Sequence, residues 1–147
     1  ESFIEGDEYS CPVVSLAKGD LKILPPVLIK PVAGSFFDFE AKYTTGACEE
    51  IVPAPCSESL TDEIKDLSAR AHQILGCSGC TRTDFIHTGN DIYTLEINTL
   101  PGLTPNSLTP KSFAASGGSF TELLNILINS ALNTFQRQEY GDLDPRH

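Results

Sequence analysis

Positive charge is scarce in this chain. Its 147 residues hold 10 Lys and Arg against 20 Asp and Glu, a formal net charge of -10. That balance argues against a nucleic-acid surface, which needs a basic face. It leaves a phosphate ligand open, because a few local cations or a metal reverse the sign locally. Long apolar runs are missing too. The longest, Leu123 to Ile128, is interrupted by Asn125 and falls far short of the ~20 residues that cross a bilayer. No partner on a membrane or a nucleic acid is expected. The five cysteines, Cys11, Cys48, Cys56, Cys77 and Cys80, are odd in number and follow no signal peptide, which predicts a reduced, cytoplasmic protein. Cys77-Ser78-Gly79-Cys80 is a CxxC without a second pair, and His72 and His87 add no ligand spacing. Two ordinary thiols, neither bridged nor holding zinc, are the expectation there. The chain has no methionine and opens at Glu1 almost directly on strand-like sequence, which reads as an excerpt of a longer protein. No internal repeat is visible.

What is present is ordinary globular material, 40% hydrophobic and 20% charged, enough for one domain with one core. Residues 1–135 carry the patterned sequence, and 136–147 read as a tail. A turn at Glu5-Gly6-Asp7 leads into a strand through Tyr9 to Val14. Leu21 to Val32 reads as a second strand, and Ala33 to Ser57 as mostly loop. A helix is predicted over Thr61 to Cys77, with Thr61 as its cap, Ile64, Leu67, Ala71, Ile74 and Leu75 as its apolar face, and Gly76 as its stop. Cys80 to His87 and Asp91 to Asn98 read as two strands of a hairpin joined by Thr88-Gly89-Asn90. Thr109-Pro110 starts a short helix with Pro at its first position. The capping box Ser119-Phe120-Thr121-Glu122 opens a last helix through about Phe135. The class is α+β: an antiparallel sheet with helices packed on one face.

Side chains alternate faces along a strand. Arg82 and Asp84 therefore share a face, as do Glu96 and Asn98. Phe85, Tyr93, Leu95 and Ile97 fall on the opposite, core face. Two carboxylates and an amide oxygen are the hard donors that magnesium takes. Spacing alone equally allows a solvated sheet face with an Arg82–carboxylate salt bridge.

Four segments add a resemblance. Leu95-Glu96-Ile97-Asn98-Thr99-Leu100-Pro101-Gly102, followed by Ser107-Leu108, closely resembles the signature of the D-alanine–D-alanine ligases, a family of the ATP-grasp fold. Gly79 to Asp84 resembles the family's preceding Arg-x-Asp strand. Phe36 to Tyr43 is similar to its active-site loop, and Glu1 to Glu8 to its adenine-binding hinge. The motifs stand in family order over nearly the whole chain. The resemblance implies the larger C-terminal lobe of an ATP-grasp fold over 1–135, without the N-terminal domain or the small lobe.

The resemblance also implies roles. Glu1, Ser2, Phe3 and Ile4 would form the adenine hinge, Glu8 would hold the ribose, and Lys42 would contact the ATP phosphates. Asp84, Glu96 and Asn98 would hold two Mg²⁺ or Mn²⁺ ions, with Glu96 bridging. Arg82 and the Gly102 N–H would stabilise an oxyanion. Tyr43 would order the loop over the first D-alanine, while Ser107 and Leu108 would take the second. The implied reaction joins two D-alanines through an acyl phosphate, for peptidoglycan synthesis. Phe37 and Phe39 stand where the family usually carries tyrosines, so hydroxyl contacts from them drop out. Lys42-Tyr43 favours a dipeptide-forming enzyme over a depsipeptide-forming one. The resemblance leaves room for a homodimer of the full-length protein. Another ATP-grasp carboxylate–amine ligase, or a non-catalytic domain of the same fold, are the competing readings.

Overall fold

The structure is a computed structural model that describes residues 3–16, 19–31 and 48–141, with side chains in the last helix described to Asn133. The elements are β1 (Asp7–Ser15), β2 (Leu21–Ile23), β3 (Val27–Pro31), β4 (Cys48–Ile51), α1 (Glu58–Ile74), β5 (Cys80–His87), β6 (Ile92–Asn98), α2 (Leu108–Ala115) and α3 (Phe120–Gly141). All strand pairs are antiparallel, in the order β4-β3-β1-β5-β6, with β2 also paired to β1.

β1 is the central strand and is buried from Glu8 to Ser15. Its Pro12 is tolerated because of a gap in the neighbouring strand. The Pro12 carbonyl accepts from the Leu24 N–H, so the missing Pro12 N–H points to the side where Leu24-Pro25-Pro26 separate β2 from β3. The single strand expected over Leu21 to Val32 is therefore two, split by the proline pair. β4 lies inside the stretch expected to be loop. At the mouth of β1, an added Cβ on Gly6 would stand 2.5 Å from the His87 carbonyl oxygen. Only glycine lets the chain enter the sheet that close to β5.

The two faces of the sheet are covered differently. On one face Tyr9, Cys11, Leu28 and Phe85 pack with Ile64 of α1. On the other, Val14, Leu24 and Cys80 pack at one end against Phe113 of α2 and Leu123 of α3. The α+β class with an antiparallel sheet holds, and the helices divide between the two faces. Among the described residues no helix packs over the rest of the second face, next to α2.

α1 begins earlier than expected. Ser57, not Thr61, is its N-cap, and the Leu60 N–H donates to Ser57 Oγ at 3.2 Å. Its buried line is Ile64, Ser68 and His72, while Ile74 and Leu75 are exposed at 78% and 59%. The two polar members of that line are satisfied. Ser68 Oγ donates to the Ile64 carbonyl, and His72 bonds Thr81 Oγ1 at 2.8 Å and Ser15 Oγ at 3.0 Å. In α2, Pro110 is the third helical residue, not the first. The Ser119 capping box forms as expected, and α3 runs to Gly141. All five cysteines are free thiols. Burial pushes the Cys11 thiol up to about 12 and that of Cys80 up to about 11, so both are inert at neutral pH.

Candidate active site

The β5–β6 register pairs Arg82 with Asn98 and Asp84 with Glu96. Directly opposed residues share a face, so all four side chains stand together on the second face. Following the ladders outward, one row runs Val27, Ser10, Asp84, Glu96 across four strands. The next row runs Glu50, Ile29, Glu8, Ile86, Tyr93 across five. Tyr93 belongs to that row because the register shifts between Asp84 and Phe85, leaving Leu95 as an extra residue in β6. The expectation that Tyr93 shares the core face with Phe85 fails at this bulge. Phe85 pairs instead with Thr94, and Tyr93 and Leu95 are each 42% exposed. Bulges recur beside active sites because they re-aim a side chain in this way.

Asp84 is the most tightly held of the four. It is 2% exposed. Arg82 grips it with Nε–H to Oδ1 at 3.0 Å and Nη2–H to Oδ2 at 2.9 Å, and Ser10 Oγ–H donates to Oδ1 at 2.6 Å. Asn98 is oriented by the Leu100 N–H, which donates to its Oδ1 at 3.0 Å. Glu96 is exposed.

Beyond β6 the chain turns into α2. Ser107 caps α2 by position, yet its hydroxyl makes no bond to that helix's own N–H groups. It bonds instead with Thr104, accepting from the N–H at 3.2 Å and meeting Oγ1 at 2.9 Å. A Cβ added to Gly102 would come within 2.8 Å of Ser107 Oγ, so the glycine is what lets this loop fold onto Ser107. Arg82, Asp84, Asn98, Gly102, Ser107 and Leu108 line a single cavity of about 290 Å³, together with Ile29, Cys48 and Glu50. Two other cavities among the described residues, of about 200 and 440 Å³, contain none of the predicted site residues.

Glu8 is buried at 9% exposure on the same face, one row from Asp84. Phe3 is 90% exposed and Ile4 half-buried. Glu1, Ser2, Lys42 and Tyr43 lie outside the described residues. Ser10 and Glu50 of this face belong to no motif, yet both touch the site. Ser10 could have been found as the hydroxyl inside an otherwise buried strand. Glu50, paired to Lys111 of α2, had no signal, since β4 reads as loop.

Among the described residues no group of three or more His, Cys, Asp or Glu is placed to hold a metal. Two carboxylates and an amide are a different kind of set. They are the few hard oxygens that suit magnesium when water and phosphate complete its shell, so the donors present fit that ion.

A family model described as "D-ala D-ala ligase C-terminus" matches residues 1–129. The chain belongs to this family. Within the D-ala D-ala ligase family it is similar to the D-alanine–D-alanine ligase of Oleidesulfovibrio alaskensis, at 42% identity over 95% of the chain and 44% of that relative. It is 46% identical to that of Desulfotalea psychrophila, over 90% of the chain and 41% of the relative. Among solved structures, the D-alanine–D-alanine ligase from Bacillus anthracis complexed with ATP matches with a TM-score of 0.77 at 29% identity, covering 94% of the chain and 42% of that protein. The chain thus spans less than half the length of these ligase-family relatives. No helix among its described residues is long and apolar enough to cross a membrane.

Proposed function

We propose that this chain is the part of a cytoplasmic D-alanine–D-alanine ligase that holds the metal and the acceptor substrate. The observation that carries the reading is the 290 Å³ cavity, where six residues singled out by the family motifs meet. In the proposed reaction the carboxylate of one D-alanine attacks the γ-phosphate of ATP and ADP leaves, giving an acyl phosphate. The amine of a second D-alanine then attacks the acyl carbon and expels phosphate, giving D-alanyl-D-alanine for peptidoglycan.

Asp84, Glu96 and Asn98 would hold Mg²⁺ or Mn²⁺, which when bound neutralises charge on phosphoryl oxygens. The chain's own groups supply the rest. Arg82, fixed in orientation by its two bonds to Asp84, and the Gly102 N–H donate to the oxyanion that develops as the amine attacks. Ser107 and the uncapped first N–H groups of α2 receive the carboxylate of the second D-alanine, favoured by the helix dipole. Leu108 packs on its methyl. Glu8, buried one row away, takes the ribose hydroxyls, and Phe3 and Ile4 continue the adenine hinge from Glu1 and Ser2. Lys42 and Tyr43 are assigned to the phosphates and to the loop over the first substrate on their motif alone.

The 147-residue chain by itself is expected to be inactive, because charge stabilisation of this kind needs a closed site from which water is excluded. The test is a coupled phosphate-release assay on a full-length protein carrying this chain, with the product identified by mass. Release that needs D-alanine and yields the dipeptide is the expected result. Release without D-alanine, or with another amino acid in its place, would sink the reading.

A further inference from the structure

Ser10 sits on the central strand, fully buried, and directly opposes Asp84 in the β1–β5 ladder. Its hydroxyl donates to Asp84 Oδ1 at 2.6 Å, and that oxygen also accepts Arg82 Nε–H. Among the described residues Oδ2 accepts a single bond, from Arg82 Nη2. A carboxylate has roughly four lone-pair directions, two on each oxygen. Both directions on Oδ1 are occupied, and one on Oδ2 is left.

We propose that Ser10 is a positioning residue for Asp84: its hydroxyl occupies Oδ1 and turns the carboxylate so that Oδ2 is the atom offered to a divalent cation. The proposal rests on the reading of Asp84, Glu96 and Asn98 as the cation site. The Arg82 side chain is 21% exposed, against 3% for that of Asp84. Ser10 adds a third hold from within the sheet: it is short, has no exposed surface and is paired to strands on both sides. Removing a partner that orients a metal ligand typically costs roughly 10–100-fold in metal affinity.

The experiment is a Mn²⁺ titration read by electron paramagnetic resonance, on the full-length protein carrying this chain with a non-hydrolysable ATP analogue. Thermal unfolding is recorded for every variant. Ser10→Ala should raise the Mn²⁺ dissociation constant roughly 10–100-fold, and Ser10→Thr, which keeps the hydroxyl, should stay near the parent value. Ser10→Cys, similar in size but a weak donor, should fall between them. Wild-type Mn²⁺ affinity in the Ala or Cys variant, while Asp84→Asn has lost it, overturns the role of Ser10 and leaves the cation site standing. Wild-type affinity in Asp84→Asn overturns the cation site itself. If neither the Ala nor the Cys variant folds, Ser10 is a structural residue and the proposal fails.

Discussion

Arg82 does two things with one guanidinium. It holds Asp84 through Nε–H and Nη2–H, and in the proposed reaction it donates to an oxyanion that exists only after the amine attacks. A group of that second kind lowers the barrier without tightening the ground state. Arg82→Ala in the full-length protein should therefore slow ligation by roughly 10²–10³, a larger loss than the one it causes in nucleotide affinity through Asp84. Turnover against a calorimetric nucleotide titration checks the split; equal losses in both would mean that Arg82 serves binding. Strand alternation places Arg82, Asp84, Glu96 and Asn98 correctly because their ladder is regular from Arg82 to Asp84. The same rule misplaces Tyr93, since nothing in Ile92-Tyr93-Thr94-Leu95 marks a bulge. Ser10 escapes a motif reading because its value lies in a contact with a residue 74 positions away.

Elements bounded by their own side chains were legible, and elements made by their neighbours were not. β5 agrees in both bounds with the expected strand, and β6 starts one residue late. α3 opens where its capping box says, with Ser119 Oγ accepting the Glu122 N–H and Glu122 Oε2 accepting from both the Ser119 N–H and its hydroxyl. Those bonds, the backbone one foremost, hold the Glu122 carboxyl below its usual range. Ser119→Ala should cost about 1 kcal/mol of stability, measured as a lower urea midpoint with unchanged slope; no change would mean that α3 is held by Leu123 alone. β4 was illegible because Cys48-Glu49-Glu50-Ile51 is short and acidic, and it becomes a strand only through its ladder with β3. α1 was misread at both ends. Ser57 and Thr61 are both accepted cap types, and an apolar-face reading favours Ile74 over the polar His72, which only its partners Ser15 and Thr81 make a core residue.

His72 joins α1 to β1 and β5 and so bears on the whole molecule. Burial, partly offset by the Cys77 backbone, lowers its pKa below the ordinary 6.5. The folded chain therefore resists protonation more than the unfolded one does. Stability from this group is complete above about pH 6.5 and falls as pH drops toward the lowered value, by at most about 1.4 kcal/mol per pH unit. Urea unfolding of the chain at pH 7.5 and 5.5 should show a loss that His72→Gln reduces; an equal loss in both proteins would assign it to the carboxylates instead. At this scale the sheet does one further thing: it sets Glu96 opposite Asp84 and beside Asn98 on a single face. The account depends most on that face being where the cation and the phosphates meet. The direct measurement is D-alanine-dependent phosphate release from ATP by the full-length protein and its Glu96→Gln variant, at saturating Mg²⁺ and again at saturating Mn²⁺. The account predicts that the variant, still folded, loses nearly all turnover with either ion. Turnover equal to that of the parent would contradict it.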